Sequence, residues 1–459
     1  MTVAEAAAEP DLLSIADAAP LTRRYWLTYG LLNVQIICEV FDFILVGFLV
    51  AVVAPLWHLN FGQSTIILLG TGLGAIFGSL GFGRISDRFG RRAAILCGTI
   101  IYCCAAGAIA LIPDGAWMLF AMLRFLVGVG YGAAGSSQWA LVVESTPSAH
   151  RTLMGSLLGI PASLGVVFAS MLVASLLPAL GWRGAAALGF LPIFVGFALV
   201  WCAPESARWL VANGRVEDAR KSVAKMLGRP VDSLPLPGVL PPRAPPLPFS
   251  EVLKHPREFW LITLVQMGMG TALSGVLLWG PTVFGQLLRM QPQDAAAAFT
   301  LVTLSGLAGR GVFALLPQVW GRVRSGILAG YAGAVLLSLA AIYHGSFVGM
   351  IPLFLVFVVA GQFFYDGVYS NLNPYSAELF PVRLAAVGVG VASSAGGVGK
   401  IAGPLVLGLL AGTGNLVTPK ATEQAVGPGF MFLAACCLVG GLAFTFLGVE
   451  THKRALNVS

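Results

Sequence analysis

Along most of its 459 residues the chain alternates long apolar runs with short polar breaks. Runs of roughly 20 apolar residues suffice to cross a hydrocarbon core of about 30 Å. Twelve such runs are recognisable, centred near Phe41, Gly74, Gly107, Tyr131, Leu164, Phe194, Thr271, Leu307, Leu336, Val359, Gly397 and Leu438. They are unbroken, whereas barrel strands would be short and alternating, so the pattern predicts membrane-spanning helices. The predicted class is an all-α polytopic membrane protein. Composition agrees: 57% of residues are hydrophobic and 10% charged, against about a quarter charged in soluble domains.

The pattern breaks once, between Pro204 and Pro256. That stretch holds an amphipathic segment, VEDARKSVAKML, followed by the proline-dense LPLPGVLPPRAPPLP, which disfavours a regular helix and favours extended polyproline II. It reads as a linker joining six spans to six. The expected organisation is an N-terminal tail (1–24), a six-helix bundle (25–203), the linker (204–258), a second six-helix bundle (259–449) and a C-terminal tail (450–459). The opening MTVAEAAAEPDLLSIADAAP has neither a basic start nor an early apolar core, so it is expected to be a mobile tail and not a cleaved signal peptide.

Charge then fixes orientation. Of the 27 Lys and Arg, Arg183, Arg289 and Lys420 fall on the side opposite the N-terminus, Arg124, Arg310 and Lys400 fall within spans, and the rest lie on the N-terminal side. This bias predicts that both termini are cytoplasmic. The net charge of +7 is a topology signal; it implies contact with anionic lipid and gives no reason to invoke nucleic acid. The seven cysteines show neither metal-ligand spacing nor a disulfide framework. No nucleotide-binding GxxxxGK is present, and the five histidines form no metal pattern, so neither enzymatic activity, nor a metal, nor a cofactor is expected.

The two halves echo each other. VVESTPSAHRTLMG follows the fourth run and SAELFPVRLAAVG the tenth, each placing a Glu, then a Pro three residues on, then an Arg. CAPESARWL after the sixth aligns Glu205 with Glu450 in LGVETHKRAL after the twelfth. GRISDRFGRR after the second survives only as QVWGRV after the eighth, with Gln318 where Asp87 stood. Parallel six-helix repeats point to transport, because a site between two such halves can open alternately to each side.

An unpaired charge at mid-membrane costs about 2.5 to 3.5 kcal/mol on insertion scales, so polar residues there normally face a cavity or a partner. Four stripes stand out: Gln35, Glu39 and Asp42; Arg124, Tyr131 and Gln138; Gln362, Asp366, Tyr369 and Asn373; and Ser393 and Lys400. Their helical spacing places each stripe on one face, and four stripes on four helices are best placed around one central cavity. Lys400 needs a counter-anion, either a transported carboxylate or a resident Asp366. Arg310 reads as structural. Glu39 either shares a proton with Asp42 or faces a vestibule. Phe41, Tyr131, Trp139, Trp279, Phe364, Tyr365 and Tyr369 are candidates to stack on a planar ring, with Tyr131 and Tyr369 favoured by their place on the stripes.

The GRISDRFGRR motif, carried by Gly83, Asp87, Arg88, Gly90, Arg91 and Arg92, together with RFLVGVGYG and PESARWL, resembles the major facilitator superfamily over essentially the whole chain. The resemblance lies in the branch holding sugar porters, organic-ion transporters and synaptic-vesicle glycoproteins. FDFILVGF, NPYSAELFP and GVGKIAGP are most similar to bacterial niacin and aromatic-acid proton symporters. It implies twelve transmembrane helices in two pseudo-symmetric bundles, residence in the inner membrane, a monomer, and proton-coupled uptake of a small aromatic monocarboxylate such as nicotinate. An organic-cation or sugar carrier, or a drug exporter of the same fold, is the alternative. In this family the Asp42–Arg124 pair implies proton coupling, with a static ion pair as the competing reading. The substrate set would be Tyr131, Gln138, Trp279, Gln362, Tyr365, Asp366, Tyr369 and Lys400. The loop motif implies a latch closing the cytoplasmic side through Asp87, Arg88, Arg91, Glu144, Arg151, Glu378 and Arg383. Two departures matter: the second-half Asp is lost, and Lys400 stands where these relatives usually carry Arg.

Overall fold

A computed structural model describes residues 11–235, 249–381 and 384–451. Among the described residues, eleven stretches are helical, long and apolar enough to cross a membrane. One of them, residues 159–202, is 44 residues long and turns at Gly181, whose φ of 63° and ψ of −178° break the helix. It therefore supplies two spans, residues 159–180 and 182–202, and brings the total to twelve. The others are Arg23–Leu56, Phe61–Phe89, Arg91–Ala108 and Trp117–Ser145 in the first half. In the second half they are Pro256–Leu287, Pro292–Trp320, Arg322–Ile342, Leu353–Gly367 continued by Tyr369–Glu378, Ala385–Leu410 and Pro419–Leu447.

Local chemistry sets the helix ends. The Thr22 hydroxyl accepts from the Tyr25 N–H at 3.1 Å to start the first span. Asn60 and Gln63 form a reciprocal capping box at the start of the second. Glycine sets the closest packing. A Cβ on Gly74 or Gly78 of the second span would come within 2.0 and 2.1 Å of fourth-span carbonyl oxygens, and one on Gly128 within 2.2 Å of the Thr71 carbonyl. Only backbone fits between these two helices, which is how small residues let membrane helices approach.

The repeat is visible at the end of the molecule that carries the termini, called here the terminal end. Gly90 (φ 103°) and Gly321 (φ 90°) make the sharp turns into the third and ninth spans. Glu205 accepts from the N–H groups of Arg91 and Arg92 at 3.0 and 3.1 Å. Glu450 accepts from those of Arg322 and Val323 at 2.9 and 3.2 Å. Each carboxylate thus satisfies two orphan donors at a helix start, where the helix dipole also favours negative charge. Arg91 pairs with Glu144 at 3.0 Å, and Arg322 pairs with Glu378 in the same way. Where Arg91 also grips Asp87 at 2.8 Å, Arg322 finds the Asn371 side-chain oxygen instead, which replaces the carboxylate lost at Gln318.

The halves meet toward the opposite, distal end. Main-chain hydrogen bonds join the 1–2 loop to the 11–12 loop: Phe61 N–H to Asn415 O (2.9 Å), Gly62 N–H to Thr413 O (3.0 Å) and Val417 N–H to Leu59 O (3.1 Å). Phe48 packs edge-on to Phe299 at 5.7 Å, and the Ser170 and Thr303 hydroxyls lie 3.0 Å apart. A Cβ on Gly47 would sit 2.7 Å from the Leu278 carbonyl oxygen.

Two parts outside the spans are informative. Residues at the N-terminus, expected to be a mobile tail, instead fold as a helix, Leu12–Ala18, with Leu12 and Leu13 buried. Two leucines with an apolar groove to fill and an aspartate between two arginines suffice to dock it. Asp17 bridges Arg151 at 2.8 Å and also holds Arg208. The segment VEDARKSVAKML forms the helix Val216–Leu227, closed by Gly228 in the left-handed conformation. Most of the proline-dense run, residues 236–248, lies outside the described residues.

Candidate functional site

Two charged clusters sit in the spans, one in each half. In the first, Arg124 is completely buried and Asp42 is 2% exposed. The Arg124 guanidinium reaches the Asp42 carboxylate at 3.1 Å and the Asp42 main-chain oxygen at 2.9 Å, while its Nε donates to the Thr71 hydroxyl at 3.1 Å. One turn away, Glu39 is buried too, but its partners are neutral amides: Gln138 Nε2 at 2.5 Å and Gln35 Nε2 at 3.4 Å. Gln35 is itself anchored to Thr99 and Tyr102, each at 3.1 Å. In this conformation Glu39 is 4% exposed. The first span presents one carboxyl group locked to a cation and another held only by uncharged donors.

In the second half Asp366 does not take Lys400, one of the two partners expected for that lysine. Asp366 binds Arg310, at 2.8 Å to Nε and 2.7 Å to the terminal nitrogen. Gln362 Nε2 donates to the other carboxylate oxygen at 3.2 Å. A Cβ on Gly306 would sit 2.3 Å from that oxygen, so the glycine makes room for the carboxylate. Arg310 also lies over the Tyr369 ring, 5.8 Å from its centroid. Arg310, read from sequence as structural, is the resident partner of Asp366, and the Lys400–Asp366 pair does not form. Its signal was its mid-span depth, but sequence gives no means of choosing between two cations for one aspartate.

Lys400 is left exposed on the eleventh span, with no hydrogen bond or ion pair among the described residues. The Ser393 side chain is exposed on the same helix, and a Cβ on Gly397 would meet nothing within 4 Å.

Of the candidate aromatics, Tyr131 and Tyr369 are half-buried; Tyr131 packs against Phe43 with centroids 5.9 Å apart. Trp279 is buried, donating to the Pro404 carbonyl at 3.0 Å and packed on Phe61. Tyr365 is fully buried, Phe41 is buried and Phe364 half-buried, and Trp139 is exposed.

The latch residues are placed at the terminal end, each within its own half. Arg91 holds Asp87 and Glu144; Arg88 lies over its neighbour Phe89, 5.4 Å from the ring centroid. Arg151 is taken by Asp17, and Glu378 by Arg322 and the Thr451 hydroxyl. Arg383 lies outside the described residues, and for Asn373 only the backbone is described. Sequence reasoning passed over Arg322, Asn371 and the capping role of Glu205 and Glu450. The Glu205/Glu450 alignment was the available signal.

Two six-span halves, joined at one end and each carrying an ion pair within its spans, define a secondary transporter. The chain belongs to the Major Facilitator Superfamily, whose family model matches residues 32–404. It is 27% identical to the niacin transporter NiaP of Acinetobacter baylyi, with 97% of this chain and 99% of that protein covered. It is 24% identical to the 4-hydroxybenzoate transporter PcaK of Pseudomonas aeruginosa, over 90% of this chain and 94% of that protein. The synaptic vesicle 2-related protein of Rattus norvegicus is 25% identical over 88% of this chain and 74% of its own. Among solved structures, the inward open conformation of the xylose transporter XylE from E. coli superimposes with a TM-score of 0.70 at 17% identity, covering 94% of this chain and 98% of that one. The family, and the niacin, 4-hydroxybenzoate and xylose transporters among these relatives, are transporters and not enzymes.

Proposed function

We propose that this protein is a proton symporter that imports a small aromatic monocarboxylate, such as nicotinate, by alternating access. The observation that carries the reading is Lys400: an exposed ammonium on a membrane helix, with no ion pair among the described residues. Such a group attracts an anion and repels an organic cation. Arg310 already occupies Asp366, so that carboxylate is not free to recruit a positively charged solute. In this reading Lys400 takes the substrate carboxylate, and Tyr131 and Tyr369 offer ring faces to a planar body. Gln138, Gln362 and Asp366 orient the groups around it, with Trp279 and Tyr365 supporting from the packed core. Niacin and 4-hydroxybenzoate, the compounds named for two relatives, are both aromatic monocarboxylates.

Asp42 is the proposed proton carrier. When protonated it releases Arg124, and when ionised it recaptures it, so protonation and helix position are linked. Glu39 can take a proton without breaking any ion pair, which suits it to pass protons to or from Asp42. In this reading the terminal end faces the cytoplasm at the inner membrane, and the protein acts as a monomer. With the halves joined distally, the site opens inward. Outward opening would recruit Asp87, Arg88, Arg91, Glu144, Arg151, Glu378 and Arg383 to close the cytoplasmic side.

The test is uptake of labelled nicotinate and benzoate into proteoliposomes, with and without an inward proton gradient, for the parent and for Lys400→Ala. Gradient-driven uptake whose KM rises at least tenfold in Lys400→Ala is the expected result. Absence of carboxylate uptake in the parent, with organic cations carried instead, would overturn the proposal.

A further inference from the structure

Three cations meet at the terminal end of the first half without a carboxylate in ion-pair range among the described residues. Arg92, the second residue of the third span, donates a terminal nitrogen to the Val200 carbonyl. Lys225, on the linker helix, donates to the next carbonyl, that of Trp201, at 3.1 Å. Guanidinium and ammonium are thus held side by side at the end of the sixth span. Arg24 joins them from the first span, whose cap residue Thr22 is tied to the Met226 carbonyl at 2.7 Å; its charge and that of Arg92 both act on Lys225. The acids nearby are committed elsewhere: Glu217 to Arg220, Asp218 to Arg215 and Lys221, and Glu205 to main-chain N–H groups. The Arg92 Nε is buried with no partner. Burial, and then the charges of Arg92 and Arg24, hold the Lys225 ammonium below the usual lysine pKa, as in a cluster short of an anion.

The surroundings are apolar and open. Trp201 is 84% exposed and Trp26 48% exposed, and Phe197 is exposed one turn deeper on the sixth span. Tryptophans at the end of apolar helices, beside unpaired basic groups, are arranged as a membrane–water boundary is. A soluble phosphate would satisfy the cations and leave these rings bare, whereas a phospholipid satisfies both.

We propose that Arg24, Arg92 and Lys225 bind the phosphate headgroup of an anionic phospholipid whose acyl chains run along Trp201, Trp26 and Phe197.

The full-length protein, purified in detergent, is titrated with phosphatidylglycerol and with phosphatidylcholine, and retained lipid is read by native mass spectrometry. Arg24→Gln combined with Lys225→Gln leaves Arg92 at its helix start, and Lys254→Gln serves as a control elsewhere on the same side. With about fivefold in affinity per cation, the double variant is expected to bind phosphatidylglycerol about 25-fold more weakly, the control equally to the parent, and phosphatidylcholine poorly to all three. Equal retention of phosphatidylglycerol by the double variant overturns the site. Inorganic phosphate protecting the parent from thermal unfolding as well as phosphatidylglycerol does, at equal concentration, overturns the lipid as its occupant.

Discussion

Replacing Asp42 with asparagine separates a proton carrier from a structural clamp. Arg124 is fully buried and holds three acceptors at 2.9–3.1 Å, of which only one is the carboxylate. The introduced amide can still offer an oxygen in the same place, so the charge loses its counter-ion but keeps its hydrogen bonds. Removing one partner from a buried ion pair costs about 3–5 kcal/mol, and the retained bonds place this variant at the low end, about 3 kcal/mol. Neutralising both members with Asp42→Asn and Arg124→Gln is expected to restore most of that stability, since neutral replacements of buried pairs are often tolerated. Transport should not recover with it. For one proton carried with each monoanion, an inward gradient of one pH unit supplies about 1.4 kcal/mol, a tenfold accumulation. The expected result in proteoliposomes is loss of that accumulation in both variants, while exchange of labelled for unlabelled substrate persists. Tenfold accumulation by Asp42→Asn under the gradient would refute the argument and leave the pair a clamp.

Other outcomes follow from specific contacts. Asn60 and Leu416 form an antiparallel bridge across the halves, close enough for a disulfide; Asn60→Cys with Leu416→Cys should abolish transport under oxidation and regain it on reduction. Gly128→Ala drives a methyl group against the Thr71 carbonyl and is expected to lower stability by about 1–3 kcal/mol, read as a drop in melting temperature in detergent. Asp17→Asn weakens the hold on Arg151 and Arg208, so the N-terminal helix should be cleaved faster in limited proteolysis with the spans intact. Asp114, on the distal 3–4 loop, has its carboxyl held below the usual range by hydrogen bonds from Arg183 and then Trp57. A depressed pKa contributes stability that is present above the unfolded value near 3.9 and is lost as pH falls through the folded one. Asp114→Asn should therefore melt earlier than the parent at pH 7, with the difference vanishing in stronger acid.

The fold was legible because lipid leaves few choices: long apolar runs become helices, and the repeated Glu, Pro and Arg after the fourth and tenth spans announced two related halves. Asp42 and Arg124 could be paired from resemblance, and their contact is present. What the sequence hid was selection among equals. Asp366 had two cations within plausible reach, and only three-dimensional packing, with Gly306 making room, gives it to Arg310. The N-terminal helix was hidden because seven residues carry too little periodicity to signal docking, and its anchors Arg151 and Arg208 are far away in sequence. Aromatic residues were the least legible: Trp279 and Tyr131 sit at similar depth, yet one is sealed by a hydrogen bond to Pro404 and the other remains accessible.

The distal closure between Leu59, Phe61 and Gly62 on one side and Thr413, Asn415 and Val417 on the other is written in main-chain atoms. Nearly any amino acid can supply an amide and a carbonyl, so that door keeps its hinge strength while its side chains drift. At the terminal end carboxylates and guanidiniums brace each half by itself, where one substitution removes a whole ion pair. Under the proposed latch, substitutions at the charged end would retune how readily that side seals while the main-chain seal opposite stays constant.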